Sequence, residues 1–306
     1  MEGNPHSTAP RSPSGGLIRL QAHLTDWVAW VGPAWAAVCG LIASGSFGWQ
    51  GEDWLRLAVL ILIVDAGWGT LWAAMGSTDW AKPLRRWRNW RFGEPSAMPP
   101  YTLPGSPGDQ MSRWLGQLRA WWRDIFWPTC GHTLSAIAIA LPVTVILATL
   151  LGMELLLLSA AALSVIQLAA LVMNRARQGA GDVVVPKWDA IVAVMLPWLA
   201  GHLTYGPLTL RSVGLALAFA LAWGATWRAY SRWERALVIG PQFLAAALLV
   251  ALHNPLAAGC LLLVLTPQVA LLPWLRRGQP ISWYVRHTRP WLMGAMLVAA
   301  WAVRAL

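Results

Sequence analysis

The sequence predicts an all-α integral membrane protein of nine transmembrane helices, and three observations predict it. The first is composition. Of 306 residues 57% are hydrophobic and only 12% charged, and the mean hydropathy is +0.49. A soluble domain of this size cannot hide so much apolar surface, so the bilayer is the solvent. The second is the recurrence of long apolar segments, and the third is the way cations alternate between the loops that join them.

A span needs about 20 mainly apolar residues to cross about 30 Å of hydrocarbon. Segments that meet this requirement fall at 27–46, 54–76, 131–151, 154–173, 187–207, 209–229, 235–253, 255–275 and 288–306. With the N-terminus inside, 20 of the 23 Lys and Arg residues fall in the cytoplasmic segments. Only Arg56, Arg211 and Arg304 lie near the opposite face. Lys and Arg gather on the cytoplasmic side of membrane proteins, and adding or dropping one span scrambles the alternation. The excess of 23 cations over 13 Asp and Glu therefore reads as membrane orientation, and no nucleic acid partner is expected.

Residues 1–20, rich in Pro, Ser and Gly, read as a disordered cytoplasmic tail without a signal peptide. Residues 21–306 then form a single transmembrane domain. Cys39, Cys130 and Cys260 sit in apolar surroundings without metal-ligand spacing and are expected to be buried thiols. Pro142, Pro197, Pro241 and Pro267 fall inside spans and predict a curved bundle around a cavity.

The loop 77–130 is too long for a simple connection. It is basic and rich in Trp, and its second half carries Met111, Trp114, Leu115, Leu118, Trp121, Trp122, Ile125 and Phe126 at three- and four-residue steps. That spacing predicts an amphipathic helix lying in the membrane interface with its rings at headgroup depth. Pro95 to Pro107 separates two basic clusters and is expected to run extended. Arg85, Arg86, Arg88, Trp87, Trp90, Trp121 and Trp122 are the candidate contacts to lipid headgroups or to a partner protein or pigment.

Most of the 23 Trp residues fall near span ends, where an aromatic belt is the ordinary arrangement. Trp68, Trp72 and Trp223, with Trp227 beside them, lie deeper and are candidates to pack on a flat ligand, core packing being the alternative use. Asp65, near the middle of the second span, is the only acid so deeply placed. An ionisable group there is a functional candidate, for a cation or a ligand hydroxyl, or is neutralised by a neighbouring helix. His132, His202 and His253 lie near span ends, where an imidazole nitrogen suits either the magnesium of a chlorin or an ordinary hydrogen bond. The chain carries no metalloprotease, nucleotide-binding or nucleophile-elbow motif. Nor does it carry a cluster of carboxylates spaced to hold Mg²⁺ on a diphosphate.

Three strings, Leu196-Pro197-Trp198-Leu199-Ala200-Gly201-His202, Gly240-Pro241-Gln242-Phe243-Leu244 and Leu265-Thr266-Pro267-Gln268-Val269, together with the length and span count, give the chain a likeness. It resembles the UbiA-type membrane prenyltransferases, nearest to the chlorophyll and bacteriochlorophyll synthases, over roughly residues 20–306. The resemblance implies a nine-helix bundle with a cavity for a lipid-like ligand. That family's chemistry uses two Asp-rich motifs at the cytoplasmic ends of the second and sixth spans, and both are degenerate here. The first location reads Gly69-Thr70-Leu71-Trp72-Ala73-Ala74-Met75-Gly76-Ser77, with no carboxylate until Asp79. The second, Gly224 to Arg235, holds Glu234 alone. Because the metal stabilises charge on a leaving diphosphate, the expectation is a catalytically silent relative in a bacterial inner membrane. Its N-terminus is cytoplasmic and its C-terminus periplasmic. It serves as a binding or structural subunit of a photosynthetic complex, with bacteriochlorophyll, quinone or another isoprenoid lipid as ligand and membrane lipid and membrane proteins as partners. Two alternatives stay open. One is an active prenyltransferase using Asp65, Asp79 and Glu234, with Lys82 and Arg85 on the diphosphate. The other is a transporter.

Overall fold

The computed structural model describes residues 32–87, 103–178, 188–226, 232–276 and 279–304, and among these every regular element is helical. The predicted tail 1–20 and the candidate residues Arg88, Trp90 and Trp227 lie outside the described residues, as does most of the extended Pro-rich piece. Ten helices follow in order. α1 is Pro33–Ser44, and α2 runs from Gly51–Ile61 through a π-helical stretch, Leu62–Trp68, to Gly69–Ser77. α3 is Ala81–Trp87. α4 runs from Pro107–Trp121 through π-helical Trp122–Phe126 to Trp127–Leu151, and α5 is Met153–Gln178. α6 joins Trp188–Ala190, π-helical Ile191–Met195 and Leu196–Tyr205. α7 is Leu210–Thr226, α8 Arg232–Ala251, α9 Pro255–Arg276 and α10 Ile281–Arg304.

Five helical segments, Gly51–Gly76, Pro107–Leu151, Met153–Val172, Trp233–Ala251 and Pro255–Leu275, are long and apolar enough to cross a membrane, and Pro33–Ser44 and Leu210–Thr226 are shorter apolar helices. Their packing separates them into inner and outer members. In α2 61% of the most apolar stretch is buried in the protein, but in α4 and α9 only 22%. Leu150, Leu263 and Leu244 therefore point their side chains outward, 72%, 73% and 68% exposed. Apolar side chains on a bundle's outside have one favourable environment, which is lipid. The architecture is that of an all-α, multi-pass membrane protein.

Two hydrophobic cores share one seam. One is built by α2, α4 and α5, the other by α7, α8, α9 and α10, and residues of α1 and α6 enter both. The seam itself is the tight crossing of α1 on α6. A Cβ on Gly40 would stand 1.9 Å from the carbonyl oxygen of Trp198, and one on Gly201 would stand 1.9 Å from that of Ala37. Each glycine thus admits the other helix's backbone, the small-residue packing that brings membrane helices together without hydrophobic drive. On the far side of α6, Trp198 stacks on Phe219 and donates its Nε1–H to Ser212 Oγ at 2.9 Å.

The α8–α9 contact is polar at its centre. Gln242 and Gln268, both fully buried, exchange reciprocal amide hydrogen bonds of 3.0 and 3.1 Å, and Tyr284 Oη donates to the Gln268 backbone carbonyl at 3.1 Å. The strings Leu196–His202, Gly240–Leu244 and Leu265–Val269 thus lie at two close helix contacts, around Gly201 and Trp198 and around the paired glutamines.

Several expectations are corrected in detail. Pro142, Pro241 and Pro267 do lie inside helices, and so do Pro273 and Pro290. Cys39 and Cys130 are buried, but Cys260 is exposed on α9, because that helix turns this face away from the protein. α10 begins at Ile281, earlier than hydropathy predicts, so Arg286 and Arg289 are helical; their charges mask a helix that packing supports. The amphipathic helix read over 111–126 is present, yet it is continuous with the following apolar helix through the π-helical Trp122–Phe126. Ser106 caps it, accepting from the Asp109 backbone N–H at 3.3 Å.

Candidate functional site

The chain's two ends of the bundle differ in chemistry. At one end the α1–α2 connection and the end of α6 form a closed aromatic group. Phe47 meets Trp49, Trp54 and Tyr205 edge to face at 5.1, 5.4 and 5.6 Å, and Tyr205 Oη donates to the Asp53 carbonyl at 2.6 Å. Asp53 caps α2 and accepts the Gly48 and Gln50 backbone N–H groups at 2.9 and 3.4 Å, which holds Trp49 at a left-handed φ of 61°.

At the opposite end four helices converge on a cluster of Trp, Asp and Arg. The Trp72 side chain of α2 lies within reach of the Asp189 carboxylate at the start of α6. Arg289 of α10 lies within Coulombic reach of Asp189, and its guanidinium sits 5.3 Å from the ring centroid of Trp223 on α7. Such a cation over an indole face is attracted by the ring's quadrupole. Asp189 is exposed and Arg289 half-buried, whereas Trp223 is buried. The indole Nε1–H groups of Trp68, Trp188 and Trp223 are buried without a hydrogen-bond partner. Buried donors are rarely left so.

Local helix geometry positions these groups. Asp65, Trp68 and Trp72 recur at three- and four-residue steps along α2, and Asp65 and Trp68 lie inside the π-helical stretch Leu62–Trp68. A second π-helical stretch, Ile191–Met195, begins two residues after Asp189. π-Bulges widen a helix locally and are frequent at functional sites. Two of the three among the described residues adjoin this cluster.

The structure brings some of the candidate residues together and separates others. Trp72 and Trp223 join the cluster, and Trp68 is fully buried one turn from Trp72. Asp65 is buried and has an interaction partner within the protein. His202 does not join them. It is buried near the opposite end, where Nε2 bonds the Pro207 carbonyl at 2.9 Å and Nδ1 has no partner. His132 is exposed on α4, and His253 is exposed in the α8–α9 connection with a left-handed φ of 62°.

Among the described residues no three His, Cys, Asp or Glu side chains group to hold a metal, so Asp65, Asp79 and Glu234 do not converge. Asp79 instead accepts the Lys82 backbone N–H at 3.2 Å, capping α3, and pairs with Arg85 at 2.9 Å. Arg86 is exposed. Trp121 is buried and ties α3 to α4, donating to the Pro83 carbonyl at 3.0 Å with Trp87 edge-on at 5.4 Å. Trp122 stays 46% exposed and stacks on Phe126 at 4.5 Å.

Sequence reasoning missed Asp189, Trp188 and Arg289 as site residues. Each stands within a few residues of a predicted span end, where charge and Trp are ordinary, and only their convergence separates them from the belt. The available signal was a charge placed inside the span limits, at Asp189 in 187–207 and Arg289 in 288–306. Comparison of the chain with family models, with curated proteins and with solved structures finds no match.

Proposed function

We propose that this chain is a UbiA-like, nine-span membrane protein that binds a lipid-like ring ligand at the Trp72–Asp189–Trp223–Arg289 cluster and serves as a subunit of a membrane complex. The observation that carries this reading is the make-up of the cluster. Among the described residues, indole rings, one guanidinium and one carboxylate meet where a prenyltransferase of this likeness needs several carboxylates around Mg²⁺. The cluster's one carboxylate among the described residues offers too few oxygen ligands to hold the Mg²⁺ that stabilises a departing diphosphate, so the cluster is suited to holding a ligand and unsuited to ionising one.

In this reading the cations orient the chain in a bacterial inner membrane, with the N-terminus and the Arg289 end cytoplasmic and the C-terminus periplasmic. The exposed Trp114, Trp122 and Trp127 of α4, with exposed Lys82, Arg85 and Arg86, form a basic aromatic surface on that same side. It suits anionic headgroups and a partner subunit. Ligands that fit are bacteriochlorophyll, quinone or another isoprenoid lipid. Photosynthetic membranes are the favoured setting because the residue strings most resemble bacteriochlorophyll synthases.

The experiment is purification from native membrane in polymer-bounded discs without detergent. An absorption spectrum and identification of co-purifying chains follow. Partner chains in fixed ratio are expected. Mg²⁺-dependent prenylation of any acceptor by the purified chain would overturn the reading, as would a monomer with no partner.

A further inference from the structure

We infer that the N-terminal arm of α4 is the docking surface for an acidic amphipathic helix of a partner subunit. The inference rests on the subunit reading above and deepens it, because it names the surface and the chemistry of the partner. The unbroken helix Pro107–Leu151 has 45 residues and is about 67 Å long at about 1.5 Å per residue. Hydrocarbon is about 30 Å thick, and about 40–45 Å with its headgroups. The apolar residues 131–151 fill the hydrocarbon, so the residues before them, with Asp109, Arg113, Arg119, Arg123 and Asp124, stand outside it.

Helical hydrogen bonding runs on through the π-helical Trp122–Phe126, where the Trp127 N–H bonds the Trp122 carbonyl. A right-angle turn that laid 107–121 along the interface would break that ladder. Met111 and Leu115 thus lie about 30 and about 24 Å along the axis beyond Gly131. A headgroup layer of about 5–8 Å does not reach them, even at a helix tilt of about 40°.

The arm is nonetheless apolar on one side. Met111, Leu115, Leu118 and Trp122 recur at steps of four, three and four residues and share one face. Met111, Leu115 and Trp122 are exposed there and Leu118 is half-buried. Beside them the buried Trp121 donates to the Pro83 carbonyl, so α3 braces the arm and leaves the stripe open. An apolar stripe held beyond the headgroups is a surface for protein.

Charge selects the occupant. Arg119 and Arg123 continue from Leu115 at steps of four residues and are exposed along the flank of the stripe. Over residues 77–130 the sequence sets eight cations against four acids, Asp79, Glu94, Asp109 and Asp124. Asp79, Asp109 and Asp124 pair with Arg85, Arg113 and Arg123. Two copies in one bilayer share an orientation, so facing stripes would set Arg119 level with Arg119 and Arg123 level with Arg123, and like charges oppose that pairing. A partner helix with Asp and Glu beside its own apolar stripe meets both features.

The test places a benzophenone amino acid at Leu115 of the full chain, irradiates inverted vesicles of native membrane and maps the adduct by mass spectrometry. The same residue at lipid-facing Leu150, 72% exposed, supplies the phospholipid adduct for comparison. The expected Leu115 adduct is one foreign chain, joined within a single amphipathic helix in which Asp and Glu outnumber Lys and Arg. Arg119→Glu/Arg123→Glu should lower its yield by about tenfold or more, while Arg119→Lys/Arg123→Lys retains it and both variants elute as wild type in polymer-bounded discs. Without any variant, about 1 M salt added before irradiation should also lower the yield.

A phospholipid adduct at Leu115, a link to a second copy or to this chain's own residues, a foreign segment without acidic excess, or a yield indifferent to both charge reversal and salt overturns the inference. A partner that co-purifies in fixed ratio without a Leu115 adduct sinks this inference alone. A chain that purifies as a monomer and gives no foreign adduct sinks the subunit reading as well.

Discussion

The α1–α6 seam and the Trp–Asp–Arg cluster lie on the same helix, α6, yet they solve opposite problems. At the seam, Gly40 and Gly201 bring two backbones into direct contact, and Trp198 on the next turn has its N–H satisfied by Ser212. Nothing can enter there. At the cluster, the indole N–H groups of half-buried Trp188 and buried Trp223 are unmet, and a charge on α10 faces a charge on α6 without the fold closing over them. The seam draws its stability from direct backbone contact, and the cluster leaves buried indole donors without a partner. A protein selected for packing alone would have placed Phe at the unmet positions.

The largest expected effect breaks the seam. Gly40→Leu or Gly201→Leu must push α1 and α6 apart along backbone that cannot yield, at or above the upper end of the about 1–3 kcal/mol typical of overpacking. Loss of the monodisperse peak in size-exclusion chromatography is the expected outcome. Gly259→Leu on α9, where a Cβ meets nothing within 4 Å, should elute as wild type. Equal behaviour of the three variants would show that the seam is not the centre of the fold.

The glutamine pair gives the next effect. Gln242→Leu leaves the fully buried Gln268 amide without its partner, an expected loss of about 1–3 kcal/mol read as a lower thermal midpoint in discs. Replacing both with Leu should cost clearly less than the two single losses added together, since no orphan remains. Additive losses would mean the reciprocal bonds are not formed.

The cluster should respond in the opposite sense. In discs stripped of ligand, Trp223→Phe removes an unmet buried donor, and the thermal midpoint is expected to stay level or to rise by an amount corresponding to about 1 kcal/mol. A marked fall would show that the Trp223 N–H has a partner within the protein and that the contrast with the seam is false.

The smallest effect lies outside the spans, at the start of α4. The Gly105 backbone N–H and the Arg113 side chain hold the Asp109 carboxyl below the ordinary aspartate range. A carboxyl whose pKa is lowered by folding contributes stability at pH above its unfolded value, and the contribution is lost as pH falls through the folded value. Fraying of this first turn is therefore expected only on acidification below about pH 4. Asp109→Asn should make the turn's hydrogen-exchange rate independent of pH in that range once intrinsic exchange is corrected.

How much of this was legible in the sequence differs by residue. Asp65 stood out because an acid in the middle of an apolar segment breaks a one-dimensional pattern. Trp72 and Trp223 stood out because they lie deeper than an aromatic belt requires. Asp189 and Arg289 did not stand out, because a charge at a span end is what orients any membrane protein. The histidines are placed apart from the cluster. They were chemically apt, but His202 is held by Pro207 near the Trp49 end and never meets Trp72 or Trp223.

Composition, span periodicity and the alternation of cations by themselves determined that the chain is helical and belongs in a membrane. Those signals are local, and a bilayer reads them one segment at a time. Tertiary structure alone decided which helices sit inside, that two glycines 161 positions apart form one seam, and that Trp72, Asp189, Trp223 and Arg289 share one end of the bundle. Lipid solvates every apolar helix equally well, so hydrophobicity cannot choose neighbours. Close packing and the matching of buried polar groups make that choice, and they are properties of pairs of helices.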